Sequence, residues 1–218
     1  MSSFPGSPRL LKGGIVLLDA ASGAVQRVIA LQYNPDSVSR TLQVQGAGDG
    51  ADHSEALRLK GPPIETIKLE AELDLTDQLE FPDQNQIAVQ SGLAPQLAAL
   101  EIIVYPTSAR LEANYTLAQQ GALEIIPAEA PMTLFIWSSN RVLPMRITEF
   151  SITEEAFDTA LNPIRAKISL GMRVLSVTDL GFDHRGGGLY MVFQRQKERL
   201  ATQGPAGTLN MLGGGGLV

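Results

Sequence analysis

Four groups of side chains in this chain of 218 residues have the chemistry to form a site. Glu70, Glu72 and Asp74 stand at every second position, and paired carboxyl groups across a cleft are the usual machinery of glycoside hydrolysis. The spacing defeats that use: all three fall on the solvent face of one strand, whereas a general acid and a general base need environments that drive their pKa values apart. Asp49, Asp52, His53 and Glu55 carry metal-ligating atoms, but among glycines they show no recurring ligand spacing and lack the terminal bidentate glutamate of a calcium loop. The two histidines, His53 and His184, sit in glycine-rich stretches, and neither a G-x-S-x-G nor a phosphate-loop motif occurs. Gly186-Gly187-Gly188 is no phosphate fingerprint either, and reads as a hinge. Cysteine is absent, which removes disulfides, thiolate catalysis and sulfur-bound zinc. No catalytic residue, metal or cofactor is assigned, and an enzyme is not expected.

The acids belong to a strand. Over 64–76, Ile67, Leu69, Ala71, Leu73 and Leu75 alternate with Lys68, Glu70, Glu72, Asp74 and Thr76, the period of a half-buried strand with an acidic outer face. A second alternating segment ends the long stretch 141–177: Ala166, Ile168, Leu170, Met172 and Val174 face one way, Arg165, Lys167, Ser169 and Arg173 the other. Before it, Met145, Ile147, Phe150 and Ile152 alternate with one slip near Glu149 that a β-bulge absorbs. Between the two, Asn162-Pro163 favours a turn and Asp158 offers an acceptor for its backbone. The expectation is a long β-hairpin, joined through 138–140 to a strand buried on both faces at 132–137 that includes the single tryptophan, Trp137.

Further strands are expected at 15–18, 26–33 and 38–44, the second stopped by Asn34-Pro35. Asp83 is placed to cap a helix that Gly92 ends, and Leu97, Leu100, Ile103 and Val104 mark a helix over 94–104 with one buried stripe. Residues 107–131 show no clean period and read as a long surface loop with one helical turn around 115–120. Tyr190, Phe193, Lys197 and Leu200 recur at helical spacing, the mark of an amphipathic helix that docks on a neighbour or on its own body. Residues 1–13 read as an arm, and the glycine-rich end, 204–218, as disordered without a partner.

Lys and Arg number 17 against 23 Asp and Glu, and no basic cluster appears, which argues against nucleic acid. The N-terminus lacks the basic start and apolar run of a signal peptide, and no apolar segment is long enough for a membrane span. A glycan- or ligand-binding β-sandwich would need aromatic anchors in a pocket, and Trp137 fits a core better.

Four stretches together resemble the tube-type baseplate proteins of contractile injection systems, the phage-tail-like particles of bacteria: YNPDSVSRTLQVQ (33–45), KGPPIETIKLEAELD (60–74), PQLAALEIIVYP (95–106) and RVLPMRITEFSITEEAFDTALNPIRAKISLGMRVL (141–175). The resemblance covers residues 14–178. It implies a mainly β fold, a β-sandwich or barrel of the phage tail tube type with one packed helix, here followed by a C-terminal amphipathic helix. The domain would span 14–180, with 181–218 an extension too short for the LysM module of the longer adaptors. It also implies a six-subunit ring between the trimeric spike hub and the inner tube. Partners would be other copies of itself, the hub, the tube protein and other baseplate proteins, assembled in the bacterial cytoplasm without direct membrane insertion. On this reading Glu70, Glu72, Asp74, Arg165, Lys167, Arg173, Tyr190 and Phe193 are candidates for subunit interfaces.

Overall fold

The computed structural model describes residues 10–19, 22–46, 58–121, 130–205 and 207. The N-terminal arm to residue 9, the Asp49 to Glu55 cluster and most of the glycine-rich end lie outside the described residues. Seven strands form one antiparallel sheet: β1 (Gly14–Leu18), β2 (Val25–Ala30), β3 (Val38–Gln43), β4 (Ile64–Asp74), β5 (Met132–Ser138), β6 (Arg141–Phe157) and β7 (Pro163–Val174). Their spatial order is β2-β1-β5-β6-β7-β4-β3. The chain is mainly β, as expected, and its one continuous sheet fits the barrel form of that expectation rather than the sandwich, which has two.

That sheet rolls up. Its edge strands β2 and β3 are consecutive in sequence, and two neighbouring residues of their connection grip opposite parts of the sheet. Leu31 donates its N–H to the carbonyl of Gly13 beside β1, at 2.9 Å. The Gln32 side chain closes both ways on the backbone of Asp74 at the end of β4, donating to its carbonyl at 2.6 Å and accepting its N–H at 2.9 Å. In a flat sheet β1 and β4 would stand four strand spacings apart, about 19 Å. One glutamine can bridge them only because the sheet curls.

The curl encloses the core. Ile15, Phe135, Leu143, Met145, Ile168, Leu170, Met172, Ile67 and Leu69 line its inner face, and Leu93, Leu97 and Leu100 close it from the helical segment. Fully burying each such side chain stabilises by about 1.5–3 kcal/mol before the entropy of ordering it. Trp137 stacks on Phe135 with ring centroids 5.9 Å apart and belongs to this packing rather than to a pocket. The slip near Glu149 is a register shift between Ile147 and Glu149, which lets one strand keep its apolar side inward along 17 residues.

The helices are α1 (Thr76–Leu79), α2 (Gln86–Ser91), α3 (Ala94–Glu101), α4 (Ser108–Gln119), α5 (Val177–Leu180) and α6 (Arg185–Ala201). Three differ from the sequence reading. Asp83 does not cap a helix: Pro82–Gln84 is a 3-10 turn, and α2 starts after Asn85, whose amide donates to the carbonyls of Gln78 and Phe81. Residues 108–119, expected as loop, are helical. Their Ala, Leu, Arg, Glu and Gln favour a helix, but no residue of α4 is buried, so no apolar period marks it. Gly186 to Gly188 is the first turn of α6, not a hinge.

Two of those glycines, Gly186 and Gly187, are required by close approach. A Cβ on Gly187 would lie 1.9 Å from the carbonyl oxygen of Gly181, whereas one on Gly188 would meet nothing within 4 Å. Gly188→Ala is therefore expected to raise stability in denaturant unfolding by about 0.5–1 kcal/mol. Gly187→Ala should lower it by more than that, by prying α6 from the preceding loop.

Candidate assembly interface

The acidic and basic candidates share the polar outer face of β4, β7 and β6, where β4 runs beside β7 with Asp74 opposite Arg165, Glu72 opposite Lys167 and Glu70 opposite Ser169. Four of them, Asp74, Arg165, Lys167 and Arg173, are engaged within the chain. Arg165 pairs with Asp74 at 2.8 Å, Lys167 with Glu155 at 3.1 Å, and Arg173 with Asp179 at 2.7 Å. Asp74 also accepts from the backbone and hydroxyl of Thr76, which starts α1. These bonds, with Arg165 behind them, hold its carboxyl below the usual carboxylate range. Asp74 thus fastens the seam, its backbone to Gln32 and its side chain to the next turn. Glu70 and Glu72 have no ion-pair partner among the described residues.

Another pair spans three strands. Lys68 on β4 and Glu149 on β6 both face Gly171 of β7 in register, and their side chains meet across it at 2.8 Å. Glycine makes this possible, since a Cβ at 171 would sit 2.9 Å from that of Glu149.

Tyr190 and Phe193 lie elsewhere. They are 5% and 6% exposed and pack in the main core, so α6 docks on its own body and leaves little of either ring for a neighbour. α6 also covers an inward-facing charged cluster. Glu65 is 3% exposed and paired with Arg40 at 2.6 Å. Arg141 and Lys197 stand in the same field; burial lowers the pKa of both, and Lys197 rests 4.6 Å over the Phe193 ring. Burial likewise raises that of Tyr190, with Glu65 adding to it.

The feature not found by residue chemistry is an edge. β5 pairs with β6 only along Arg141 to Met145, while β7 follows β6 as far as Phe157. Among the described residues no strand covers the other side of β6 over 146–157. Beside it lies an open groove of about 470 Å³ lined by Glu101, Val104, Tyr105, Ile147, Thr148, Phe150 and Ile152. On the side of the unpaired strand its wall is mixed, Ile147, Phe150 and Ile152 together with Thr148. The only signal in the sequence is one of length: a short apolar run, 132–137, precedes a far longer alternating one.

Neither a protein-family model nor a curated protein matches the chain. Among solved structures, one match is a chain from the tail of an empty gene transfer agent particle, determined by helical refinement with C6 symmetry. It is 13% identical, with 75% of this chain and 90% of that chain covered and a TM-score of 0.29.

The two kinds of ion pair are expected to differ in unfolding experiments. Glu65→Ala, which leaves Arg40 without its buried partner, should cost about 2–4 kcal/mol. Lys68→Ala, on the exposed face, should cost less than about 1 kcal/mol.

Proposed function

We propose that this chain is a structural subunit of a phage-tail-like contractile particle, a ring component that joins the spike hub to the inner tube. Its work is done by interfaces, and it catalyses no reaction. The observation that carries this reading is the strip β6-β7-β4-β3, which among the described residues ends in an unpaired edge on each side: β6 beyond Met145, and β3. An exposed edge is a template for another strand. When the edge of one copy meets the opposite edge of the next, the contact is head-to-tail and closes into a ring if the rotation per copy closes. Six copies, the number the sequence resemblance implies, would turn by 60° each.

The face this ring would turn to its lumen is the charged one, carrying Lys68, Glu70, Glu72, Arg165, Lys167, Glu149 and Glu155, while the opposite face is the core. Because Arg165 and Lys167 are engaged within the chain, subunits are joined by backbone pairing and apolar contact rather than by these charges. On β3 the half-exposed Leu42 would meet Phe150 and Ile152 of the adjoining copy. Reactions need convergent groups held in unlike environments, whereas the acids and bases of this face pair with one another across strands or face solvent.

Sedimentation velocity of the purified chain tests this. A concentration-dependent species of six copies is expected. Leu42→Asp should abolish it while leaving the monomer's stability within about 0.5 kcal/mol, as for other surface substitutions. A chain that stays monomeric at high concentration, alone and with hub and tube proteins, contradicts the proposal.

A further inference from the structure

A charge imbalance lies beneath α6. β4 and β6 begin at the same end of the sheet, both antiparallel to the β7 between them. α6 packs on β6 there, with Gln196 donating to the side chain of Asn140 just before the strand. Glu65, the second residue of β4, shares the inward side with Ile67 and Leu69. Arg40 of β3 reaches it with two groups, Nε at 2.7 Å and Nη2 at 2.6 Å, and both go to the same oxygen, Oε1. Arg141 opens β6 on the side of Leu143 and Met145, which is the core side. Lys197 follows Tyr190 and Phe193 along the face that α6 turns to the core.

Three cations from three elements therefore meet one carboxylate. Glu65 is committed to Arg40, and neither Arg141 nor Lys197 has an ion pair among the described residues. Glu198, which also acts on Lys197, is exposed and accepts from Gln194. Burial opposes the charge of Arg141 and of Lys197, and at Arg141 the repulsion of Arg40 adds to it, only partly offset by Glu65. Arg40, Arg141 and Lys197 are all half-buried, so the cluster is screened from water yet open to an ion from solution.

We propose that this cluster binds a doubly charged phosphate group, held by Arg141, Lys197 and the Arg40 N–H groups that Glu65 leaves free. The charge balance selects the ligand: three cations less one carboxylate leave two positive charges, which a dianion neutralises. Guanidinium groups suit it in shape as well, since their N–H forks match phosphate oxygens. Because the cations come from β3, β6 and α6, the bound group fastens the helix to the sheet. This binding stands apart from ring formation and is a property of the single chain.

Melting of the parent chain in phosphate and in chloride, at equal ionic strength and about pH 8 where phosphate carries two charges, tests the site. Phosphate at tenfold its dissociation constant should raise the melting temperature by about 3–6 °C over chloride. Arg141→Gln and Lys197→Gln should each weaken the response about tenfold, whereas Arg146→Gln, on the exposed outer side, should leave it unchanged. In chloride, Arg141→Gln should melt no lower than the parent, because it removes a repelled cation; a residue serving only to pack would show a loss. Equal melting in the two salts, or a parent-like phosphate response in both the Arg141 and Lys197 variants, overturns the proposal. Phenyl phosphate then assigns the source. Binding as tight as that of phosphate points to a group carried on a larger molecule, and binding about tenfold weaker to the free ion.

Discussion

Most of this structure follows from a mismatch in strand length. β5 has 7 residues and β6 has 17, so β6 leaves its neighbour after five pairings and runs on beside β7 alone. The backbone beyond that point still carries donors and acceptors on its open side, and each unmet group costs free energy if a partner or a crowded surface excludes water from it. Within one chain nothing described supplies the missing strand. The same mismatch makes the fold asymmetric: β1 and most of β5 are buried on both faces, while β6, β7 and β4 present a solvated charged surface, with β6 and β3 unpaired on their outer sides among the described residues.

Closure of the buried half depends on Asp74 and Gln32. A side-chain amide bonded to both backbone groups of one residue imitates a pair of ladder hydrogen bonds, and it holds the rolled sheet where no strand pairing crosses the gap. α6 then covers the remaining core with Tyr190 and Phe193 and shields the Glu65–Arg40 pair. An inward-facing charged pair stabilises little relative to apolar packing, but breaking it is costly. The aromatic stripe of this helix thus contributes to the monomer, and the surface available to partners lies on the strands.

Much of this was legible in the residues. The hairpin, its turn at Asp158, the bulge near Glu149 and the two-faced strand at 64–74 all write themselves in periods of two. What was not legible has physical reasons. α4 buries nothing, so its helix leaves no apolar pattern, and Gly186 to Gly188 looks like a hinge until the carbonyl of Gly181 is placed against it. The alternation of Arg165 and Lys167 shows that they face outward, but not that Asp74 and Glu155 of neighbouring strands pair with them, because pairing register is not local information. Free edges are still harder to see: an unpaired strand has the same sequence as a paired one, and only the relative lengths of β5 and β6 hint at it.

Amide hydrogen exchange on the chain before and after assembly tests the central claim most directly, because it reads backbone pairing without reference to any side chain. The account predicts that amides of β3 over 38–43 and of β6 over 148–157 that exchange rapidly in the monomer become protected together when rings form. Assembly that protects other segments and leaves both edges exchanging freely would contradict it.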